Sequence, residues 1–200
     1  MADFAFADID TQVDFIDSTG KLYASGAEAI KDNLKKLVSF AQSNKVPLVS
    51  SVDSHPENDP EFEQFPPHCI AGTTGQKKIP ETTTGQEIFV EQAAETFPDP
   101  KSNHLVIEKQ DFPIFTNPVA EKVFAATGCK EVYVFGVVTE VCVRAAALGL
   151  VERDYSVKLV TDAIWPITKE GGDKALEEMK NAGVEFVTTE QVLNAKTVSA

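Results

Sequence analysis

Apolar residues in this chain fall into short continuous runs, separated by longer stretches in which they recur every three or four positions. Ala5 to Ile9 and Val46 to Val52 are runs of the first kind and read as strands. Between them, Ile30, Leu34, Leu37, Val38 and Ala41 share one face of a helix spanning Ala27 to Ser43. The alternation then resumes. Leu105 to Glu108 is a third strand, and Asn117-Pro118 supplies an N-cap and first-turn pair for a helix that runs through Thr127 and closes at Gly128. Glu131 to Val138 is rich in β-branched and aromatic residues and nearly free of charge, the composition of a central strand buried on both faces. A helix from about Glu140 to Arg153, a strand from Ser156 to Thr161, a helix ending at Gly183, a strand from Glu185 to Thr188 and a short helix around Glu190 to Asn194 complete the pattern. Six strands alternating with helices predict an α/β fold: a three-layer α/β/α sandwich around a mainly parallel six-stranded sheet.

One segment breaks the rhythm. Residues 53–104 hold seven of the 11 prolines and no long periodic stretch, and so long a loop within a compact domain is usually functional or disordered. With 42% hydrophobic residues and neither an internal repeat nor a linker, one domain over residues 1–200 is expected. The 31 acidic and 18 basic side chains leave a net charge of −13, which repels nucleic-acid phosphates and anionic lipid headgroups. No apolar run approaches the roughly 20 residues that cross a bilayer, and Met1-Ala2-Asp3 lacks the basic start of a secretory signal. A cytoplasmic protein without nucleic-acid or membrane partners is expected, with assembly into a homo-oligomer left open. Cys69, Cys129 and Cys142, odd in number, suit a reducing compartment and allow for a working thiol.

Chemistry-bearing residues gather where strands end. Asp8-Ile9-Asp10-Thr11-Gln12-Val13-Asp14-Phe15 carries the first strand directly into acidic residues, and the crevice beyond the carboxyl ends of a parallel sheet is where ligands bind, so Asp10 is well placed. The same carboxylate could simply cap the following turn. Gly136 to Val143 runs from a buried strand into a helix with Cys142 in its first turn. The positive helix end there favours a thiolate, and backbone N–H groups without intrahelical partners can bind an oxyanion. Read blandly, Cys142 is a small buried hydrophobe. Asp53-Ser54-His55, with Glu61 and His68 further along the long loop, combines imidazoles and carboxylates in a set that suits zinc, iron or manganese, against a plain alternative of two solvated histidines. Lys109 follows the Leu105 to Glu108 strand and also points into the crevice, although most lysines are surface charges.

Together these residues resemble the isochorismatase-like cysteine hydrolases and, within them, the nicotinamidases. The D-x-Q-x-D-F segment is matched by Asp10 to Phe15, the lysine closing the third strand by Lys109, and G-x-x-T-[DE]-x-C-V by Gly136 to Val143. D-x-H-P is matched by Asp53 to Pro56, and P-x-H-C-x-x-G-T-x-G by Pro66 to Gly75. The resemblance implies an isochorismatase-like fold and hydrolysis of a small amide, nicotinamide, by a triad of Asp10, Lys109 and Cys142. It also implies an oxyanion hole at the N–H groups of Val138 and Cys142 with a cis Val137-Val138 peptide, and packing of Phe15 against the substrate ring. A divalent metal, zinc before manganese or iron, would be held by Asp53, His55, Glu61 and His68. Glu61 is taken over Glu57, Asp59 and Glu63 because some members sharing the Phe65 to His68 segment carry a glutamate at that spacing. Two departures concern the pocket wall. Ser54 stands where many relatives have tryptophan, and Gln110 to Phe115 replaces a Tyr-Ser-Ala-Phe type stretch. Two other readings stand beside this one: hydrolysis of a different small amide or carbamoyl compound on the same fold, and a binding module without catalysis, against which the complete set of Asp10, Lys109 and Cys142 argues.

Overall fold

The apolar runs become the middle of a parallel sheet. A computed structural model of the chain describes residues 3–197, so that Met1 and Ala2 lie outside the described residues. Its strands are β1 (Phe4–Ile9), β2 (Leu48–Asp53), β3 (Glu87–Val90), β4 (His104–Lys109), β5 (Glu131–Val137), β6 (Ser156–Trp165) and β7 (Glu185–Val187). They lie in the order β3-β4-β2-β1-β5-β6-β7, and every ladder is parallel. The helices are α1 (Val13–Ile16), α2 (Lys31–Asn44), α3 (Ala120–Thr127), α4 (Arg144–Val151), α5 (Lys169–Asn181) and α6 (Thr189–Thr197).

Strand alternation sorts the two layers that cover the sheet. Phe4 and Phe6 of β1 face Leu34, Leu37 and Val38 of α2, with Val192 of α6 in the same cluster. Ala7 and Ile9 face the opposite layer, where Phe124 of α3, Ala146 and Leu150 of α4, and Met179 of α5 pack. The three-layer arrangement therefore follows from period-two strands and period-3.6 helices meeting on both faces.

Among the described residues the sheet has seven strands where the sequence predicts six. The strand missed is β3, four residues at the sheet edge inside the long loop, with Phe89 half exposed at 51%. So short a segment shows no alternation, and only its pairing with β4 makes it a strand. β6 also runs past the expected Thr161. Leu159 pairs with Val134 but Ile164 pairs with Gly136, so a bulge takes up the extra residues. Asp162 inside that bulge looks like a strand end, but its carboxylate accepts from the N–H and hydroxyl of Thr189 at 2.7 and 2.9 Å and so holds the start of α6.

The central strand depends on one glycine. Gly136 has φ of 122°, and a Cβ there would sit 2.0 Å from the carbonyl oxygen of Ile9 on β1. Gly136→Ala is expected to destabilise the protein by about 2–5 kcal/mol through backbone strain and overpacking, a loss of about 10 °C in melting temperature. Thermal unfolding of the variant checks this, and an unchanged melting temperature would refute the close approach.

Candidate active site

The carboxyl edges of β1, β2, β4 and β5 bring together residues that are far apart in sequence. Asp10 follows β1 in a left-handed conformation (φ 48°), which Asp tolerates better than most side chains. The Ser51 hydroxyl of β2 donates to Asp10 Oδ1 at 2.7 Å. Lys109, the last residue of β4, is fully buried. Its Nζ lies 2.9 Å from Asp10 Oδ2, in short contact with Asp53 Oδ1, and 3.6 Å from Cys142 Sγ. Cys142 sits in a wide turn of π-helix, Thr139–Val143, that leads into α4, so the expected helix from Glu140 opens with a looser first turn. The Val138 carbonyl at its head accepts from the N–H groups of Val141 and Val143, and the Val137-Val138 peptide is cis.

Electrostatics follow from burial. Burial opposes the charge on Lys109, but the carboxylates of Asp10 and Asp53 overcome it and hold the ammonium well above its ordinary range. Burial pushes the Cys142 thiol up; Lys109 opposes this, while Asp10 and Asp53 add to it, and the balance favours the protonated thiol. Asp10 is also raised, first by burial and then by Asp53, against the pull of Lys109. The thiol thus lies beside a carboxylate whose basicity is increased, with their reactive atoms within 4.8 Å of each other.

Beside this cluster lies a set of metal-type donors. Asp53, His55 and His68 each offer an atom within 4.8 Å of the others, all buried. Glu61 Oε1 is 3.8 Å from His68 Nε2. Glu57 and Glu63 are exposed, and Asp59 turns to His55 Nδ1 at 3.0 Å. His55 Nε2 is buried and makes no hydrogen bond among the described residues, which is costly for a ring nitrogen unless something binds it. His68 Nδ1 lies 2.9 Å from the Pro66 carbonyl, so the ring donates there and turns its Nε2 lone pair outward. Burial lowers the His68 pKa and keeps the ring in the neutral, ligating form. Two imidazoles and two carboxylates with an orphaned ring nitrogen fit a divalent cation.

Phe15 packs its ring against His68, centroids 5.5 Å apart, and Phe62 flanks both His55 and His68. Two motif residues without an assigned role position the rest. Gln12 accepts from the Asp53 N–H at 2.8 Å and donates to its carbonyl at 2.9 Å, holding the β2 end in place. Asp14 accepts from the N–H groups of Cys69 at 2.7 Å and Lys21 at 2.9 Å, and a Cβ on Gly75 would sit 2.1 Å from its Oδ2. Ser51 and Asp59 lie outside any motif, and only the folded arrangement brings them to their partners. Cys129 precedes β5 at the opposite edge of the sheet, and Cys69 is buried with its thiol pushed up by desolvation.

Fold and site together describe a parallel α/β protein with a cysteine, a carboxylate and an ammonium at the carboxyl edge of its sheet. The isochorismatase domain model matches residues 5–97 and 89–191, and the chain belongs to that family of hydrolases. It is 27% identical over 192 residues to the nicotinamidase/pyrazinamidase of Mycobacterium tuberculosis, covering 90% of this chain and 95% of that protein. It is 26% identical over 190 residues to a probable inactive nicotinamidase of Arabidopsis thaliana, covering 90% and 89%. Among solved structures it is similar to the pyrazinamidase of Pyrococcus horikoshii in complex with zinc, with a TM-score of 0.78, 27% identity, and 94% and 99% of the two chains covered. Among the described residues, no helix is long and apolar enough to cross a membrane.

Proposed function

We propose that this chain is a nicotinamidase that converts nicotinamide to nicotinate and ammonia through a thioester on Cys142. The observation that carries the reading is the single buried contact set in which Lys109 touches Asp10, Asp53 and Cys142, because Asp53 ties the reactive thiol to the metal-type donors. Asp10 takes the thiol proton as sulfur attacks the carboxamide carbon, and the carbonyl electron pair moves onto oxygen. The N–H groups of Val138 and Cys142 receive that oxyanion. Lys109 keeps the Asp10 carboxylate in place and favours the departing thiolate form electrostatically. On collapse, Asp10 returns its proton to the nitrogen, the C–N bond breaks and ammonia leaves. Asp10 then deprotonates water, which attacks the thioester, and Cys142 recovers its proton as the acid departs.

Asp53, His55, Glu61 and His68 would hold zinc, with manganese or iron also suited to so hard a donor set. Such an ion supplies a Lewis-acidic anchor for the ring nitrogen of the substrate. Phe15 supports the ring face of the site through His68. The net charge of −13 favours a small neutral substrate over a polyanionic partner.

A second reading, turnover of another small amide or carbamoyl compound, is favoured by the pocket wall. Ser54 bonds the Gln76 amide at 2.9 Å in place of an aromatic side chain, and Phe112, 39% exposed, meets Phe65 edge-on. Purified protein assayed for ammonia release across a panel of amides, before and after chelation, separates the two. Nicotinamide should be turned over and chelation should abolish most of that activity; turnover of a different amide alone would select the second reading. Glu61→Ala should lose metal and raise KM about tenfold or more while Cys142 remains open to alkylation. Full metal content in that variant would remove Glu61 from the shell.

A further inference from the structure

We propose that Asp59 is a positioning residue of the metal site, one carboxylate oxygen orienting His55 as a ligand and the other fixing the turn that carries Glu61. The inference rests on the metal-binding reading above. Asp59 stands just before the 3-10 turn Pro60–Glu63, with its side chain 10% exposed. Its Oδ1 accepts from the Glu61 N–H at 2.9 Å, which caps that turn. Its Oδ2 lies 3.0 Å from His55 Nδ1. His55 is itself 1% exposed, and its other ring nitrogen is the buried atom that makes no hydrogen bond.

A turn cap explains the first contact and leaves the second unexplained. A carboxylate on Nδ1 keeps the proton there and turns the Nε2 lone pair outward, the usual support for a metal-bound imidazole. His68 receives the same orientation from the peptide carbonyl of Pro66. Asp59, His55 and Glu61 also offer atoms within 4.8 Å of one another, but the Asp59 oxygen in contact with the ring faces Nδ1, the nitrogen opposite the unpaired one. One side chain therefore couples two of the four donors, and its two oxygens cannot be replaced by a group with a single acceptor.

Zinc affinity of the full chain, measured by competition with a chelator, decides the matter in wild type, Asp59→Ser and Asp59→Asn. Serine keeps an oxygen that can cap the turn but is too short to reach His55; asparagine has one acceptor for two donors. Both variants are expected to bind zinc about 10–100-fold more weakly. The metal-free melting temperature of Asp59→Ser should stay within about 2 °C of wild type, because the cap is retained. Imidazole 15N spectra of the metal-free protein should show His55 protonated at Nδ1 in wild type and as a mixture of tautomers in Asp59→Ser. Wild-type affinity and tautomer in Asp59→Ser would overturn the inference and leave Asp59 a turn cap. Weakened binding with an unchanged tautomer would also overturn it, by making Asp59 a ligand itself. A wild-type chain that takes up no zinc overturns the metal reading and this inference together, whereas zinc bound equally by wild type and Asp59→Ser overturns this inference alone.

Discussion

Cys142→Ala is expected to abolish amide turnover, lowering kcat by at least about 10⁴-fold, with the fold retained. Among the described residues, the sulfur is the only thiol in contact with Lys109, and no other nucleophile of its strength lies in the Asp10, Asp53 and Lys109 cluster. Alanine suits a position that continues into α4, and removing one buried sulfur leaves only a small cavity, so stability should change by no more than about 1–2 kcal/mol. Ammonia release and thermal unfolding read the two effects separately. Cys69→Ser and Cys129→Ser are the matching controls. Cys129 lies at the far edge of the sheet, and the Cys69 backbone serves Asp14 through its N–H, which serine preserves. Substantial turnover by Cys142→Ala, or its loss in a folded control variant, would move the nucleophile elsewhere.

Asp10→Asn should be nearly as severe, with kcat down by about 10²–10⁴-fold, because the amide can neither take the thiol proton nor return it to the leaving nitrogen. The variant should still fold. Asp10 and Asp53 share one ammonium, so losing one carboxylate leaves a neutral pair of Lys109 with Asp53 and no buried charge alone. Asparagine also accepts the left-handed backbone at φ 48°, and its carbonyl can keep the bond from the Ser51 hydroxyl. The sharper readout is Cys142 itself. Its alkylation should slow in Asp10→Asn as turnover falls, since both depend on the same proton acceptor. Rapid alkylation combined with lost turnover would assign Asp10 to the leaving group alone.

Much of this site could be read along the chain because its carriers are local. A strand that runs straight into Asp10, a strand that ends on Lys109, and a strand turning into Cys142 each place a side chain at a carboxyl edge, and parallel pairing brings those edges to one crevice. The layer order was equally legible, since hydrophobic periods of two and 3.6 act over a few residues. β3 was not, because four residues carry no period and Phe89 faces outward. The true end of β6 was hidden by Asp162, a polar residue that serves α6 across the sheet.

By itself, then, the sequence determined the alternation of strands and helices and the residues that arrive at the strand ends, because backbone periodicity and strand-end chemistry are local properties. Only the tertiary structure decided which acidic residues of the loop face the histidines. It turned Glu57 and Glu63 to the surface, brought Glu61 toward His68 and set Asp59 behind His55. It also decided that Lys109 holds two carboxylates and a thiol at once. The reason is physical: in an aperiodic loop neither spacing nor propensity orients a side chain, and a buried charge finds its partners only when strands 40 or more residues apart are brought side by side.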